Sequence, residues 1–524
     1  MNKIHVLDCT LRDGGYCNQW NFGNKNIKKI INSLVSSNID IIECGFLTNK
    51  YCYSPELSKF NNLAQIEQVL PINRHGKLFV VMVNYGEYCV EDLPLYNGKS
   101  IDGIRIAFHK RDLTNALELA KAIQLKGYKI FMQPMVTLSY TDLEFISLIE
   151  QVNEFTPYAF YIVDSFGMIK KKDLIRLFYM VENNLKDGIW IGFHSHNNMQ
   201  LSYSNAQSLI DTKTNCNIII DSSVYGMGRG AGNLNTELLI EYLNENVNGS
   251  YCLKPLLNVI DEVLNNIYDK NYWGYSLANY VSASHCIHPD YASYLNDKNT
   301  LTFEAMDEIF SIMQSDKKNT FDREYIQNLY TKYMDTANVQ EEHRNEFENV
   351  LLGKKVLLIC PGKSSKREKD KILKFINQNN VVSISVNFDY SEYNTDFIFL
   401  SNLRRFRELQ DEKKSKCIVT SNIPADNVYL QTRYYDLLND IEAVKDNAAI
   451  MAIRFLINLG VKKVYLAGMD GYSHDVQQNY ADKSMIIMTK NIVFDEMNNG
   501  ICMMLDKFRK EISIEFLTQI SFVR

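Results

Sequence analysis

The sequence predicts an α/β protein, with an N-terminal (β/α)8 barrel, a helical extension and a smaller C-terminal doubly wound α/β domain. Between residue 4 and about residue 235, short apolar runs alternate with helical patterns, which is typical of βα units and a parallel sheet. The chain has 524 residues, too many for one ordinary core, and a new strand–turn–helix pattern begins near residue 353. We expect domain ranges of 1–250, 251–350 and 351–524.

Eight apolar runs in the first half predict eight barrel strands. This number favours a closed barrel over an open sheet. The runs are 5–11, 39–46, 78–83, 103–108, 129–136, 160–164, 189–196 and 217–224. Helical patterns lie between most of them, for example at 24–35, 113–126, 143–154, 172–185 and 201–211.

Polar side chains lie at the C-terminal ends of these runs. In (β/α)8 barrels, the C-terminal ends of the strands carry the catalytic groups. They are Arg12 and Asp13 after the first run, Glu43 late in the second, Asp164 and Ser165 at the sixth, and His194, His196 and Asn197 at the seventh. A glycine-rich loop, residues 226–233, follows the eighth run and places backbone amides and Asn233 beside the same mouth.

The two histidines of the seventh run predict a metal site. His194 and His196 are two residues apart in a strand, so their side chains point to one face and can ligate one ion. Asp13 would add a carboxylate, and Arg12 a fixed positive charge beside it. This donor set leaves positions open for a substrate, and we expect Mn²⁺ or Mg²⁺, with Zn²⁺ as the second choice. A 2-oxo acid such as pyruvate would fit those positions, and the ion would stabilise its enolate.

Composition narrows the class of protein. The net charge of −6 does not indicate the basic surface that nucleic-acid binding requires. No apolar run is long enough to span a membrane, and the N-terminus shows no signal-peptide core. The 11 cysteines lack C-x-x-C pairs, which argues against a disulfide framework or a structural zinc site. We therefore expect a cytoplasmic enzyme that acts on small molecules, and we leave open whether it is a homo-oligomer.

The motifs together resemble the DRE-TIM metallolyases, a superfamily of metal-dependent aldolases, lyases and carboligases that includes HMG-CoA lyase. The resemblance covers about residues 4–300. Residues 163–165 (VDS) and 284–294 are most similar to the 4-hydroxy-2-oxovalerate aldolases. The motifs that carry it are residues 8–15 (DCTLRDGG), 194–198 (HSHNN) and 226–233 (GMGRGAGN).

This resemblance implies roles for individual residues and a position for the helical extension, which would pack over the barrel. It makes Asp13, His194 and His196 metal ligands, with Asn233 fitting a fourth position. Arg12 would stabilise the enolate, and Tyr291 would be a proton donor. Where the aldolases carry a histidine three residues beyond the metal-binding aspartate, this chain has Tyr16.

Several functions remain open within this pattern. The favoured one is an aldolase acting on a 2-oxo acid and an aldehyde. A Claisen-type carboligase would use an acyl-CoA instead. In a third alternative the barrel is not catalytic and serves a C-terminal glycosyltransferase-like domain. Glu43, Asp164, Ser165 and Asn197 would contact substrate or orient the groups that do.

The C-terminal third predicts a second parallel sheet. Strand-like runs occur at 354–359, 381–386, 397–400, 417–420 and 463–466, and a helix is expected at 367–377. A charged run at 340–346 would precede this domain as a solvated helix face. The strand–turn motifs loosely resemble nucleotide-sugar domains of bacterial surface-glycan enzymes, some akin to sialyltransferases. Candidate ligand contacts are Gly362, Ser364, Asn402, Arg405 and Asp470, against the alternative of a structural or oligomerisation module.

Overall fold

The computed structural model describes residues 3–298, 300–334, 343–485 and 491–520. The chain forms two compact units. The first contains residues 1–292 and 314–321, and the second contains residues 293–313 and 322–524. Of the predicted charged run, residues 340–342 lie outside the described residues, and residues 344–351 form a helix. The ranges of the three expected domains stay predictions.

The first unit is a closed barrel of eight parallel strands, as predicted. Strands follow one another around the barrel, and β1 pairs with β2 to close it. A ninth strand of two residues, β3, lies outside this ring and pairs with the C-terminal end of β2. The strands are β1 Ile4–Asp8, β2 Ile41–Leu47, β3 Lys59–Phe60, β4 Leu78–Asn84, β5 Gly103–Phe108, β6 Lys129–Pro134, β7 Ala159–Asp164, β8 Trp190–Ser195 and β9 Ile218–Ser222.

Helices follow most strands, and several short ones follow the barrel. A π-helical segment, Ile260–Leu264, interrupts the helical residues that follow the barrel. The α-helices that begin in this unit are α1 Gly15–Asn18, α2 Asn24–Ser36, α3 Leu63–Glu67, α4 Leu113–Leu125, α5 Asp142–Asn153, α6 Lys171–Asn184, α7 Ser202–Ile210, α8 Thr236–Asn246, α9 Lys254–Val259, α10 Asn265–Tyr268, α11 Leu277–Ser284 and α12 Pro289–Asp297.

The strands have an apolar face on each side, which explains why they read as continuous apolar runs. Val6 belongs to the large cluster shared with the surrounding helices. Its neighbour Leu7 belongs to the separate cluster inside the barrel, with Ile41, Phe131 and Ile219. Because strand side chains alternate, the residues two positions beyond these interior ones also face inward, toward the C-terminal mouth.

The second unit is a seven-stranded parallel sheet with the order β14-β13-β12-β11-β10-β15-β16. Its order reverses at β10, so the predicted doubly wound class is confirmed. The strands are β10 Lys355–Ile359, β11 Val381–Val386, β12 Phe397–Leu400, β13 Cys417–Thr420, β14 Leu430–Thr432, β15 Lys463–Ala467 and β16 Ser513–Phe516. Its further helices are α13 Phe303–Ser311, α14 Arg323–Met334, α15 Arg344–Leu351, α16 Lys363–Arg367, α17 Lys369–Gln378, α18 Leu403–Glu408, α19 Asp411–Lys414, α20 Ala448–Asn458 and α21 Asn491–Phe508.

Three details of this unit differ from the sequence expectation. Strands β14 and β16 lie at the two edges of the sheet, and the sequence pattern did not indicate them. The helix expected at 367–377 is α17, and a further helix, α16, precedes it, separated by the non-helical backbone of Glu368. In the described part of the chain, none of the helices is long and apolar enough to cross a lipid bilayer.

Candidate active site

Three buried side chains meet at the C-terminal mouth of the barrel. Asp13 follows β1, His194 lies in β8, and His196 comes directly after β8. Each offers one ligand atom, and the three atoms lie within 4.8 Å of one another. Oδ2 of Asp13 is 3.7 Å from Nε2 of His194 and 3.8 Å from Nε2 of His196. The i, i+2 spacing therefore places both imidazoles beside one carboxylate.

The charge state of this cluster suits a divalent cation. Burial would raise the pKa of Asp13, but the charge of Arg12 beside it holds that pKa well below its ordinary value. Burial lowers the pKa of His196 to about 3, so its imidazole is neutral at pH 7 and has a lone pair to give. One carboxylate and two imidazoles form a donor set used by catalytic divalent metals.

Asn233 supplies an independent test of this fit. Its Oδ1 is buried and has no hydrogen-bond partner among the described residues, although buried polar atoms are nearly always paired. Asn233 forms an isolated β-bridge with His196. Gly228 lies between Asn233 and Asp13, since a Cβ there would overlap the Asn233 amide and come 3.0 Å from Oδ1 of Asp13. The orphaned oxygen thus fits a fourth ligand of the same ion.

Arg12 stands beside the cluster as a fixed cation. It forms an ion pair with Asp13, and its Nε donates to Oε2 of Glu43 at 2.9 Å. Burial would lower the pKa of Arg12, but Glu43 and Asp13 raise it well above its ordinary value. Its Nη2 is buried without a hydrogen-bond partner among the described residues. That N–H group is available to an oxygen of a ligand.

Two charged residues that the sequence analysis missed orient this site. Arg105 in β5 donates from Nη1 to Oε2 of Glu43 at 2.7 Å, and it pairs through Nη2 with Asp221 in β9. Oδ2 of Asp221 lies 3.0 Å from Nδ1 of His194. Burial would raise the pKa of Asp221, but Arg105 and His194 lower it. Because the charged carboxylate accepts from Nδ1, Nε2 of His194 is left free to bind a metal.

The position of Arg105 and Asp221 follows from strand alternation. Asp221 lies two residues after Ile219, which is inside the barrel, and Glu43 likewise follows Ile41. Arg105 is fully buried in β5 and reaches both carboxylates. An alternation test on each predicted strand would have found these residues, since a charge at an interior position of an apolar run needs a partner there.

Arg229 and Tyr16 extend the site toward solvent. The backbone N–H of Arg229, in the glycine-rich loop, donates to Oδ1 of Asp13 at 3.2 Å. The Arg229 guanidinium lies 5.4 Å from the ring centroid of Tyr16 and donates to the carbonyl of Ser165 at 3.2 Å. Tyr16 is 40% exposed. Desolvation raises the pKa of its hydroxyl above the ordinary value, so Tyr16 is protonated at neutral pH.

The predicted substrate contacts have local hydrogen-bond partners. The Asp164 carboxylate accepts from the amides of Met168 (2.8 Å) and Ile169 (3.1 Å), and burial raises its pKa to about 7. The Ser165 hydroxyl accepts from the amide of Val136 at 2.9 Å. The side chain of Asn197 accepts from the amide of Ser202 at 3.2 Å. These bonds hold the turns of the mouth, and a role in substrate binding stays a prediction.

Tyr291, the predicted proton donor, is fully buried. Its hydroxyl lies 2.9 Å from the carbonyl oxygens of Lys317 and of Thr320. Its ring packs against Phe321, with 5.0 Å between centroids. These contacts are those of a side chain that holds a backbone segment, and its role in proton transfer stays a prediction.

The C-terminal candidates lie at the C-terminal edge of the second sheet. Gly362, Asn402, Arg405 and Asp470 line one crevice. Ser364 is not part of the lining, but its amide and hydroxyl donate to the Asp470 carboxylate. The side chain of Asn402 caps α18 by accepting two backbone N–H groups.

Comparison with known proteins bears on the first unit. Residues 107–261 match the HMGL-like family model. This HMGL-like segment runs from β5 to the π-helical segment and includes both histidines, Asp221 and Asn233. The predicted resemblance is thereby confirmed at the level of an HMGL-like segment within an eight-stranded barrel. The resemblance of the second unit to nucleotide-sugar domains stays a prediction.

Individual relatives agree with the HMGL-like assignment. The chain is 27% identical over 272 residues to 4-hydroxy-2-oxovalerate aldolase of Geobacillus stearothermophilus, covering 50% of this chain and 75% of the relative. It is 23% identical over 239 residues to oxaloacetate decarboxylase of Mycobacterium tuberculosis, covering 45% and 69%. A crystal structure of the N-terminal domain of a candidate aldolase from Bacteroides vulgatus is 28% identical, with a TM-score of 0.50, covering 58% of this chain and 99% of that domain.

Proposed function

We propose that the first unit is a metal-dependent lyase of 2-oxo acids, and specifically an aldolase that makes or breaks a C–C bond next to a carbonyl. The observation that carries this proposal is the buried cluster of Asp13, His194 and His196 at the barrel mouth, with Arg12 beside it. The aldolase and decarboxylase relatives support it, since both names describe C–C cleavage in 2-oxo acids.

Asp13, His194, His196 and Asn233 would hold the cation, with Mn²⁺ or Mg²⁺ preferred over Zn²⁺. When bound, the cation supplies Lewis-acid stabilisation for the negative charge that develops on the ketone oxygen. Arg12 acts on the same charge, because its guanidinium stays protonated and its Nη2 has no other hydrogen-bond partner in the described part of the chain. The pair of Asp221 and Arg105 keeps His194 in the orientation that this arrangement needs.

Proton transfer is assigned to Tyr16. In aldol cleavage the substrate hydroxyl gives its proton to solvent water at the mouth, the C–C bond breaks, and the electron pair of that bond passes to the ketone, which gives an aldehyde and an enolate. The protonated Tyr16 then delivers its proton to the enolate carbon and regains a proton from solvent. The exposure of Tyr16 at the mouth and its raised pKa support this role, whereas the Tyr291 hydroxyl already contacts two backbone carbonyls.

A decarboxylase is the second candidate. The oxaloacetate decarboxylase relative favours it, since loss of CO₂ from a 2-oxo dicarboxylate leaves the same enolate for Arg12 and Tyr16. A Claisen-type carboligase would instead join an acyl-CoA to a 2-oxo acid and release a free thiol. In the non-catalytic alternative, the barrel would bind no divalent cation.

We also propose a cellular compartment and a biological role for the reaction. We place it in the cytoplasm, on the sequence grounds given above. A role in surface-glycan biosynthesis rests on the strand–turn motifs of the second unit and depends on what that unit binds.

The exchange of pyruvate methyl protons with D₂O, followed by NMR with and without Mn²⁺, tests the enolate chemistry directly. We expect metal-dependent exchange in the native protein, its loss in Asp13→Asn, and its retention in Asp187→Asn, a matched change at an exposed site. Once exchange is seen, a screen of aldehydes tests for aldolase activity, and oxaloacetate tests for decarboxylase activity.

Two results would contradict the proposal. A protein that binds Mn²⁺ without exchanging pyruvate protons would point to another donor, with an acyl-CoA screened first by thiol release. A native protein that binds no divalent cation would favour the non-catalytic barrel.

A further inference from the structure

The crevice that Gly362, Asn402, Arg405 and Asp470 line lies at the C-terminal ends of the strands of the second unit. It has a volume of about 370 Å³, which is in the range of small-molecule sites. The segments after β10, β11 and β15 line it. The strand order reverses between β10 and β15, and open α/β sheets bind ligands in the crevice outside such a switch point.

Two glycine turns form one end of the crevice. Gly468 has a φ of +70°, and a Cβ there would overlap the carbonyl oxygen of Cys360. A Cβ at Gly362 would in turn overlap the carbonyl oxygen of Gly468. The turns after β10 and β15 therefore pack backbone against backbone. The Asp470 carboxylate accepts from the Ser364 amide at this end of the crevice.

The remaining carboxylates that line the crevice are also engaged. Glu408 accepts from Nη1 of Arg405 at 2.9 Å. Oδ2 of Asp446 accepts from the hydroxyls of Tyr330 (2.6 Å) and Tyr434 (3.2 Å). Each of these acids thus already has a partner in the protein, and none of them is hydrogen-bonded to the further arginine of this wall.

That cation is Arg404, which lines the crevice beside Arg405. Arg405 also donates to the carbonyl of Ser484 at 3.0 Å. The guanidinium of Arg404 has no hydrogen bond or ion pair among the described residues, and lies 5.4 Å from the ring centroid of Phe303. Desolvation and the repulsion from Arg405 both lower the pKa of Arg404. An anion bound between the two arginines would relieve this repulsion.

Apolar and aromatic side chains also line the crevice. Met469, Met485, Tyr472 and Tyr480 contribute to it. The ring of Tyr472 is held in place by stacking on Phe494, with centroids 5.5 Å apart and planes 12° from parallel. A fixed aromatic ring beside flexible methionines suits a flat, weakly polar group.

We propose that this crevice binds a phosphate-bearing small molecule of nucleotide size, with its phosphates at Arg404 and Arg405 and its base against Tyr472 and Tyr480. The planar fork of arginine matches phosphate oxygens and makes two parallel hydrogen bonds to them. The proposal concerns a different site from the barrel mouth and does not depend on the reaction there.

Isothermal titration of the full-length protein with UDP, CDP, ADP and GDP, and with inorganic pyrophosphate and phosphate, tests this inference. The titrations are done in EDTA, so that no cation in the barrel contributes to phosphate binding. We expect one or more nucleotides to bind with a stoichiometry of one and more tightly than pyrophosphate.

Variants on one helix locate the binding. Arg404→Ala should weaken nucleotide binding by about tenfold or more, because a charge-assisted pair of hydrogen bonds is lost. Arg404→Lys should restore part of the affinity, since it keeps the charge but loses the fork. Arg407→Ala is the matched control: Arg407 lies on the same helix, is exposed, and pairs with Glu304 outside the crevice lining.

Three outcomes would overturn the inference. They are no binding of any probe at millimolar concentration, equal affinity for pyrophosphate and nucleotides, and equal loss of binding in Arg404→Ala and Arg407→Ala. Circular dichroism and thermal unfolding of each variant show that the fold is kept. Asp13→Asn, which should abolish proton exchange at the barrel, should bind nucleotides as the native protein does, so that failure of either proposal is seen separately.

Discussion

Nδ1 of His194 lies 3.0 Å from Oδ2 of Asp221, and this carboxylate is also the partner of Arg105. The interaction leaves Nε2 of His194 directed to the Asp13 side of the mouth, 3.7 Å from its carboxylate. A buried carboxylate behind a ligating imidazole fixes the tautomer and makes the imidazole a stronger ligand.

Asp221→Asn should therefore weaken Mn²⁺ binding by about 10- to 100-fold. The amide has the shape of the carboxylate but lacks the charge that holds Nδ1–H and Arg105. Titration of the metal-free protein with Mn²⁺, followed by electron paramagnetic resonance, measures the change. Asp187→Asn serves as the exposed control, and an unchanged affinity in Asp221→Asn would show that His194 is oriented by other contacts.

Tyr16→Phe should affect proton exchange, whereas Tyr291→Phe should affect stability. Removing the Tyr16 hydroxyl should slow pyruvate proton exchange by about 10²- to 10⁴-fold, the usual contribution of a positioned acid, without changing Mn²⁺ affinity. Removing the Tyr291 hydroxyl should lower the free energy of unfolding by about 1 kcal/mol, because its contacts with the Lys317 and Thr320 carbonyls are lost. Exchange rates and urea unfolding of both variants separate the roles, and a loss of exchange in Tyr291→Phe alone would reverse the assignment.

His288 should make the first unit sensitive to acid. Burial, with the nearby Arg229 charge, lowers the pKa of His288 to about 2 in the folded state, against about 6.5 in an unfolded chain. Below pH 6.5 the unfolded chain takes up a proton that the folded state does not, so stability falls as the pH falls toward 2. His288→Gln should remove about 1.5 to 2 kcal/mol of the stability lost between pH 6.5 and pH 5.

Urea unfolding at both pH values measures this difference. His75→Gln, at an exposed position, is the control and should keep the pH dependence of the native protein. Identical pH dependence in His288→Gln would mean that His288 carries a proton in the folded state.

Gly468→Ala should destabilise the second unit more than Gly460→Ala does. Both glycines have positive φ, +70° and +76°, so each alanine has a backbone cost of about 1 kcal/mol. At Gly460 a Cβ meets nothing within 4 Å, whereas at Gly468 it overlaps the Cys360 carbonyl and approaches Ser365. Thermal unfolding compares the two, and equal melting temperatures would mean that the turn after β10 moves freely.

The sequence predicts the barrel well because its signals are local and repeated. Each strand reads as an apolar run, and the strand ends carry the polar residues, so Asp13, His194 and His196 could be placed at one mouth before their distances were known. The second sheet is predicted less completely. Strand β14 has only three residues, and β16 alternates half-buried and exposed positions as an edge strand does, so neither gives an apolar run.

Arg105 and Asp221 were missed for a different reason. Both lie inside apolar strands, where a single charged residue reads as an interruption and not as a signal. Only the closed barrel brings β5 and β9 close enough for these charges to pair, although the two residues lie 116 positions apart in sequence. Alternation along each strand marks such a charge as facing the barrel interior, but which partner it meets is set by the topology.

The chain passes between the two units three times, at residues 292/293, 313/314 and 321/322. An end-to-end fusion of two independent genes would give a single crossing. Here the first unit keeps residues 314–321, which contact the Tyr291 hydroxyl and, through the Lys318 carbonyl, the His288 amide. A single proteolytic cut or stop codon thus cannot release either unit whole, and expression of an isolated barrel requires residue 292 to be joined to residue 314 by a new linker.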